Sequence, residues 1–300
     1  MKQLFFRLIY QRQINFLIRS VLKLIRELPE RFKIPPSGRI KVKTRSTDFI
    51  LATNQTCYVT HLLFWEGAEK FEYSSFFIFL INRVTTFYDI GANIGYYSLL
   101  ATATNSRVQV KAFEPALGPH HYLSKNVVLN KSTARITIEE IALSDKTGEI
   151  EFQEVKNQKY SYLNYNLSGE GNLVEKKTAK SFNKRIVETK TLDSYCFGSQ
   201  TFPELIKIDT EGAEALVLSG SSEVFSKYRP ILICEILYNG NEPEIDNYFA
   251  EIGEYSRFAL NGSILIPLDT ITRQEDNGYR DFVFLPNEKK HLLSDYNNII

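Results

Sequence analysis

Residues 87–100 read FYDIGANIGYYSLL. An apolar run ends at Asp89, glycines follow at Gly91 and Gly95, and a segment of helical period comes next, which predicts a strand, a tight turn and a helix. Glycine lets the backbone turn sharply and approach a ligand without a Cβ in the way. In a doubly wound α/β sheet such a first turn stands at the carboxyl edge, beside the switch point of strand order where ligands bind. The spacing is D-x-G-x-N-x-G, with Asn93 where a dinucleotide site carries its second glycine, and no G-x-x-x-x-G-K-[ST] occurs. An NAD(P) oxidoreductase and a nucleoside triphosphate site are therefore disfavoured. A carboxylate at Asp89 suits a ligand with a cationic amino-acid moiety, and S-adenosylmethionine is such a ligand.

Outward from this turn, strand and helix patterns alternate. Strands are expected at 84–90, 108–113, 135–142, 149–152, 205–209 and 231–236, with helices at 71–81, 119–130 and 212–225. Strands separated by helices predict a mostly parallel sheet covered on both faces. Toward the C-terminus, 255–260 and 264–266 flank Asn261-Gly262, a hairpin signal, and 279–285 alternates as a further strand, so an antiparallel C-terminal edge is expected. Residues 153–190 are rich in Tyr, Asn, Ser and Lys and weakly periodic. They read as a long irregular insertion, with Tyr160, Tyr162 and Tyr165 suited to a substrate-side wall.

Acids recur at the predicted strand ends. Glu114 lies 19 residues past Gly95, near the offset at which an acid meets ribose hydroxyls in such folds. Asp209 closes the strand 205–208 and is the expected general base, since methyl transfer to a hydroxyl, which the family resemblance given below implies, requires that hydroxyl to lose its proton. Glu211 follows in the next turn, where an acid equally suits a helix start. Glu235 ends the next strand and is expected as an auxiliary base with a raised pKa. Mg²⁺ held by these acids is the less favoured alternative. His120 and His121 are adjacent, so they diverge on a helix and make no metal pair.

These segments together resemble the FkbM family of S-adenosylmethionine-dependent methyltransferases. The resemblance rests on FYDIGANIGYYSLL, AFEP (112–115), IALSDKTGEIEF (141–152), TLDSY (191–195), LIKIDTEGAEALVLSG (205–220) and RPILICEI (229–236). It implies a Rossmann-like methyltransferase sheet and O-methylation of a small-molecule, sugar or lipid-linked saccharide acceptor. Carried over by position, Asp89, Gly91, Asn93 and Gly95 would surround the methionine part, Glu114 the ribose, and Ala142, Leu143 and Ser144 the adenine. A non-catalytic interaction module on the same fold is the competing reading, and intact Asp89, Glu114 and Asp209 speak against it.

Composition sets the remaining bounds. With 43% hydrophobic and 24% charged residues, a packed core is expected. Residues 1–33 hold eight Lys/Arg against two acids, a net of +6, which leaves the rest at −5 of a total of +1. That distribution argues against a nucleic-acid binder. Within 1–28, Tyr10, Ile14, Leu17, Ile18, Val21, Leu22, Ile25 and Leu28 are expected on one face of a helix, with Arg12, Arg19, Lys23 and Arg26 opposite. This basic amphipathic helix is expected either to pack its apolar face on the domain or a partner, or to lie on a membrane. Residues 1–36 thus read as an extension, 37–83 as strands and a helix packed on the core, and 84–300 as the catalytic domain. Cys57, Cys196 and Cys234 have neither disulfide nor zinc spacing, and no signal peptide is read, so a cytoplasmic location is expected.

Overall fold

The chain is described in a computed structural model for residues 2–157, 159–167 and 181–297. In chain order the strands are β1 (Gly38–Lys43), β2 (Asp48–Thr53), β3 (Thr86–Ile90), β4 (Gln109–Phe113), β5 (Ile136–Glu139), β6 (Ala142–Leu143), β7 (Gly148–Lys156), β8 (Ser181–Lys190), β9 (Leu205–Ile208), β10 (Ile231–Glu235), β11 (Tyr255–Asn261), β12 (Ile264–Leu268) and β13 (Asp281–Pro286). The helices are α1 (Lys2–Ile9), α2 (Arg12–Leu22), α3 (Tyr58–Trp65), α4 (Ser74–Ile81), α5 (Tyr96–Thr104), α6 (Leu117–Leu129), α7 (Leu192–Ser199), α8 (Glu214–Ser219), α9 (Ser222–Tyr228), α10 (Glu242–Ile252) and α11 (His291–Asn297).

The central sheet runs β12-β11-β13-β10-β9-β3-β4-β5. Its five strands from β10 to β5 are parallel, and β13, β11 and β12 complete it in antiparallel pairs. This is the expected doubly wound α/β sheet with an antiparallel edge. Alternating side chains serve two cores. Phe87, Val110, Leu205 and Ile233 face one layer with Phe77 and Leu100. Tyr88, Ile90, Ile206 and Leu232 face the other with Val217 and Phe225. Burying each such side chain contributes about 1.5–3 kcal/mol, and β9 is buried at all four residues, three of them apolar and the fourth Lys207.

The chain leaves β3 toward β4 and β5 and later returns on the opposite side of β3 to lay down β9 and β10. The strand order therefore reverses between β3 and β9, and the carboxyl ends of these strands open the crevice in which ligands of this architecture bind. The β1–β2 hairpin packs on α6, where Asn126 and Asn130 satisfy its edge. Ala52 N donates to Asn126 Oδ1 at 2.7 Å and Ile50 N to Asn130 Oδ1 at 2.9 Å.

Four expectations about local structure are corrected. Residues 135–142 are not one strand, because β5 ends at Glu139 and Ala142 instead pairs with Thr189 in a separate sheet, β6-β8-β7. The stretch 153–190 is not irregular throughout: its two arms extend β7 and form β8 as an antiparallel pair, and its residues 168–180 lie outside the described residues. Residues 212–225 break into α8 and α9 at Gly220, where a Cβ would meet Ser144 O at 2.2 Å.

The fourth correction is a rotation of the N-terminal helix about its axis, which leaves only part of the expected apolar face against the body. The N-terminal helix is broken at Tyr10, and Gln11 caps α2 by accepting from Gln13 N and Ile14 N. The residues α2 buries are Asn15 and Arg19, while Leu17 and Val21 are each 63% exposed. Asn15 accepts from Ser37 N at 2.8 Å and donates to Pro35 O at 3.2 Å. The Arg19 guanidinium donates to Arg39 O and lies 4.8 Å from the Phe64 ring centre. The side of α2 that faces the body carries Asn15 and Arg19 beside half-buried Ile14, Ile18 and Leu22, because the Pro35–Arg39 backbone there offers groups that only a polar partner can satisfy.

Candidate active site

At the carboxyl ends of β3, β4 and β9 lies a cavity of about 500 Å³. Its floor starts at the turn after β3. Gly91 has φ +74, and a Cβ on it would meet Asp209 O at 1.8 Å, so the turn and the end of β9 approach as closely as glycine alone allows. Gly91 N and Ala92 N both donate to Phe113 O at 3.0 Å, and Asp209 N donates to Ile90 O at 3.1 Å. Three strand ends are thereby tied together.

Glu114, at the end of β4, is buried and lines the cavity. Its carboxylate accepts from Asn93 N at 2.7 Å and Ala116 N at 2.8 Å. A carboxylate has about four acceptor positions, so room remains for ligand hydroxyls. Burial pushes the Glu114 carboxyl up to about 7, against the pull of those two amide donors. Asn93, at φ 50, lines the same wall, and its side-chain oxygen is buried without a hydrogen-bond partner. An orphan acceptor facing a cavity is what a ligand ammonium would satisfy. Ile141, Ala142, Leu143 and Ser144 form a mainly apolar side of the cavity, joined by Phe152. An adenine ring fits such a slot. The residues present thus suit the three chemical parts of S-adenosylmethionine.

Asp89 does not stand on the cavity wall. It is 1% exposed and lies beneath the floor, where Ser98 Oγ donates to it at 2.6 Å. Its other oxygen is 3.6 Å from Lys207 Nζ. From there its carboxylate supports the turn that carries Gly91 and Asn93. Gly95 is also off the wall: it begins α5 at φ +87, and a Cβ there would meet Leu123 Cδ1 at 2.5 Å.

Lys207, which sequence reading passed over, organises the acids. It is 4% exposed, lies 3.2 Å from Asp209 Oδ2 and donates to Gly91 O at 3.2 Å. Burial alone would lower its pKa, but the carboxylates of Asp209, Asp89 and Glu72 outweigh burial and raise it, so the ammonium stays charged. Asp209 and Glu211 both line the cavity. Glu235 lies behind Asp209 and is not on the wall. Burial, then the neighbouring Asp209 carboxylate, push its carboxyl up to about 10. It is hydrogen-bonded to Asp209, and two carboxyls so close hold a proton between them as a pair.

Glu214 is a second residue the sequence did not single out. It is buried and accepts from Thr210 N at 3.0 Å, Thr210 Oγ1 at 2.9 Å and Gly212 N at 2.9 Å. These bonds hold the turn carrying Glu211, which sits at φ 59. The signal was its position in TEGAE, where an acid at the start of a helix can cap the preceding turn. His120 lies 3.7 Å from Glu140 and His121 stacks on Tyr165 at 4.1 Å. Lys207 occupies the space between the acids, and among the described residues no group of three or more His, Cys, Asp or Glu is arranged to hold a metal ion. The far wall comes from the loop after β7, through Ser161, Leu163, Asn164, Tyr165 and Asn166.

Methyltransferase sdnD of Sordaria araneosa is 25% identical, over 55% of this chain and 71% of that one. Among solved structures, a methyltransferase FkbM from Methylobacillus flagellatus KT is 15% identical with a TM-score of 0.44. The match covers 67% of this chain and 43% of that one, so this chain spans less than half of its length. A SAM-dependent methyltransferase from Agrobacterium tumefaciens is 9% identical with a TM-score of 0.43, over 84% of this chain and 71% of that one. Residues 89–262, more than half of the chain and including the turn after β3, Glu114, Asp209 and Glu235, match the methyltransferase FkbM domain, and the chain belongs to the FkbM methyltransferase family.

Proposed function

We propose that this protein methylates a hydroxyl of a small-molecule, sugar or lipid-linked saccharide acceptor, using S-adenosylmethionine. The observation that carries the reading is the sequence of groups around one cavity: an unpartnered Asn93 acceptor, the buried Glu114 carboxylate, the apolar slot at 141–143, and the Asp209 carboxylate on the floor. S-adenosylmethionine, when bound, supplies an electrophilic methyl group on a sulfonium for in-line displacement. Asn93 Oδ1 would accept from its ammonium, Glu114 from the ribose hydroxyls, and Ile141, Ala142 and Leu143 would flank the adenine.

Asp209 is the residue suited to take the proton of the acceptor hydroxyl, because its carboxylate reaches the cavity. A positioned base of this kind contributes typically ~10²–10⁴-fold. Lys207 fixes the Asp209 carboxylate from one side, and Glu235 holds it from behind by a hydrogen bond. Exclusion of water by the loop 159–167 would strengthen each of these interactions.

The test has two parts. Thermal shift with S-adenosylhomocysteine and with NAD should show stabilisation by the first alone, about 2.7 kcal/mol at a hundred times its Kd. Labelled methyl transfer into pools of saccharide, lipid and phenolic acceptors should then mark a hydroxyl. Stabilisation by NAD, or label appearing on nitrogen or carbon, would overturn the proposal.

A further inference from the structure

The docking of α2 through Asn15 and Arg19 leaves apolar side chains in solvent. Leu4, Phe5 and Leu8 on α1, with Leu17, Val21 and Leu24 on and just after α2, are all more than half exposed, and Leu24 is 84% exposed. So many exposed large apolar side chains on two successive helices mark an interaction site. It does not belong to the core, because Asn15 and Arg19 already attach α2 to the body.

Charge says what covers it. The segment 1–33 has a net of +6 and the remainder −5, and Arg7, Arg12, Lys23 and Arg26 around the apolar residues are exposed. An anionic lipid surface attracts the first and repels the second, which orients the molecule with its helices down. A second copy of the chain would instead set two segments of +6 against each other, a juxtaposition that disfavours pairing. Among the described residues no helix is long and apolar enough to cross a membrane, so α1 and α2 would lie along the interface.

We propose that α1 and α2 dock this protein on an anionic lipid surface, and that this docking bears directly on the wall of the catalytic cavity. The link is a set of contacts from α1 and the adjoining Tyr10 to the loop 159–167. Tyr160 is met edge-on by Phe6 at 5.3 Å and by Tyr10 at 5.5 Å. Gln3 donates to Lys159 O at 3.1 Å, and the Arg7 guanidinium lies 5.1 Å from the Tyr162 ring centre. The same loop presents Ser161, Leu163 and Tyr165 to the cavity. A lipid surface engaged by α1 therefore lies against the wall past which an acceptor enters. This last step rests on the proposed methyl transfer, whereas the docking itself does not.

The experiment is co-sedimentation of the full chain with vesicles of phosphatidylcholine alone, and of phosphatidylcholine mixed with phosphatidylglycerol. The chain should pellet with the second and stay in solution with the first. Binding should weaken about fivefold for each exposed cation replaced by Gln, and fall as salt rises because exposed charges are screened over about 8–10 Å. The variant L17E/V21E, altered only at exposed positions, should melt like the parent and lose vesicle binding. Because the readout is sedimentation, failure of the methyl-transfer reading leaves it intact. A parent that ignores phosphatidylglycerol vesicles, equal binding to both compositions, or a concentration-dependent dimer abolished by L17E/V21E would each overturn the proposal.

Discussion

Lys207 and Arg19 are both buried cations, 4% and 2% exposed, and their surroundings differ completely. Lys207 stands among carboxylates, with Asp209 at 3.2 Å and Asp89 at 3.6 Å, and it is held charged above its ordinary pKa despite burial. Arg19 meets a backbone carbonyl and two aromatic faces. Its Nε and Nη1 have no hydrogen-bond partner, and burial lowers its pKa. The difference teaches that burial of a charge has no single meaning. Under the cavity the cation is the counter-charge that lets acids from neighbouring strands sit side by side. Beneath α2 it is an attachment point, held by one hydrogen bond and by packing of its long side chain.

The sharpest challenge to the first half of this comparison is Asp209→Asn. Asn keeps the shape and the contact with Lys207 but cannot take a proton. Turnover should fall ~10²–10⁴-fold while affinity for S-adenosylhomocysteine, read by calorimetry, stays within a few-fold. Undiminished turnover would reduce the acids around Lys207 to a structural cluster.

Lys207→Met should be the most damaging to the fold. It leaves Asp89 buried beside an apolar chain, and breaking a buried pair in this way costs ~3–5 kcal/mol, measurable by urea unfolding. A loss below about 1 kcal/mol would show that Ser98, and not Lys207, stabilises Asp89.

Glu114→Ala removes the acceptor for Asn93 N and Ala116 N together with the proposed ribose contact. Charge-assisted bonds of this kind are worth ~1.5–3 kcal/mol, so S-adenosylhomocysteine should bind roughly tenfold to 150-fold more weakly in calorimetry.

A graded effect follows from pH. The folded carboxyls of Glu114 and Glu235 are raised to about 7 and about 10 from an ordinary 4.5. Their contribution to stability is therefore full below about pH 4.5 and is lost as pH rises, through 7 for Glu114 and through 10 for Glu235. Glu235→Gln should remove its share of this decline, so that Tm changes less between about pH 7 and 10 than in the parent. An unchanged Tm profile would mean that Glu235 is ionised and shares no proton with Asp209.

The smallest effect is expected at Arg19→Met. No carboxylate is left unpaired there and the chain length is kept, so the loss should be limited to the unpaired Arg39 carbonyl, about 1–2 kcal/mol. A cost equal to that of Lys207→Met would erase the distinction between the two cations.

The sequence by itself determined the sheet and most of the cavity floor. FYDIGANIGYYSLL carries the strand, the turn and the helix start in consecutive residues, and AFEP and LIKID end the neighbouring strands with acids, so the reading needed no partner from elsewhere in the chain. The hairpin was legible for the same reason, although its loop is Gly262-Ser263, one residue later than the signal, because Asn261 still pairs with Ile264. Only the tertiary structure decided which acids face the cavity. A strand end points its final side chains alternately above and below the sheet, and whether Asp89 meets ligand or lysine depends on Lys207, more than a hundred residues away. It also decided which face of α2 is buried. A helix carries its amphipathic pattern in sequence, but the surface it lands on belongs to another segment. Here that surface is the bare backbone of Pro35–Arg39, which Asn15 and Arg19 can satisfy and leucine cannot.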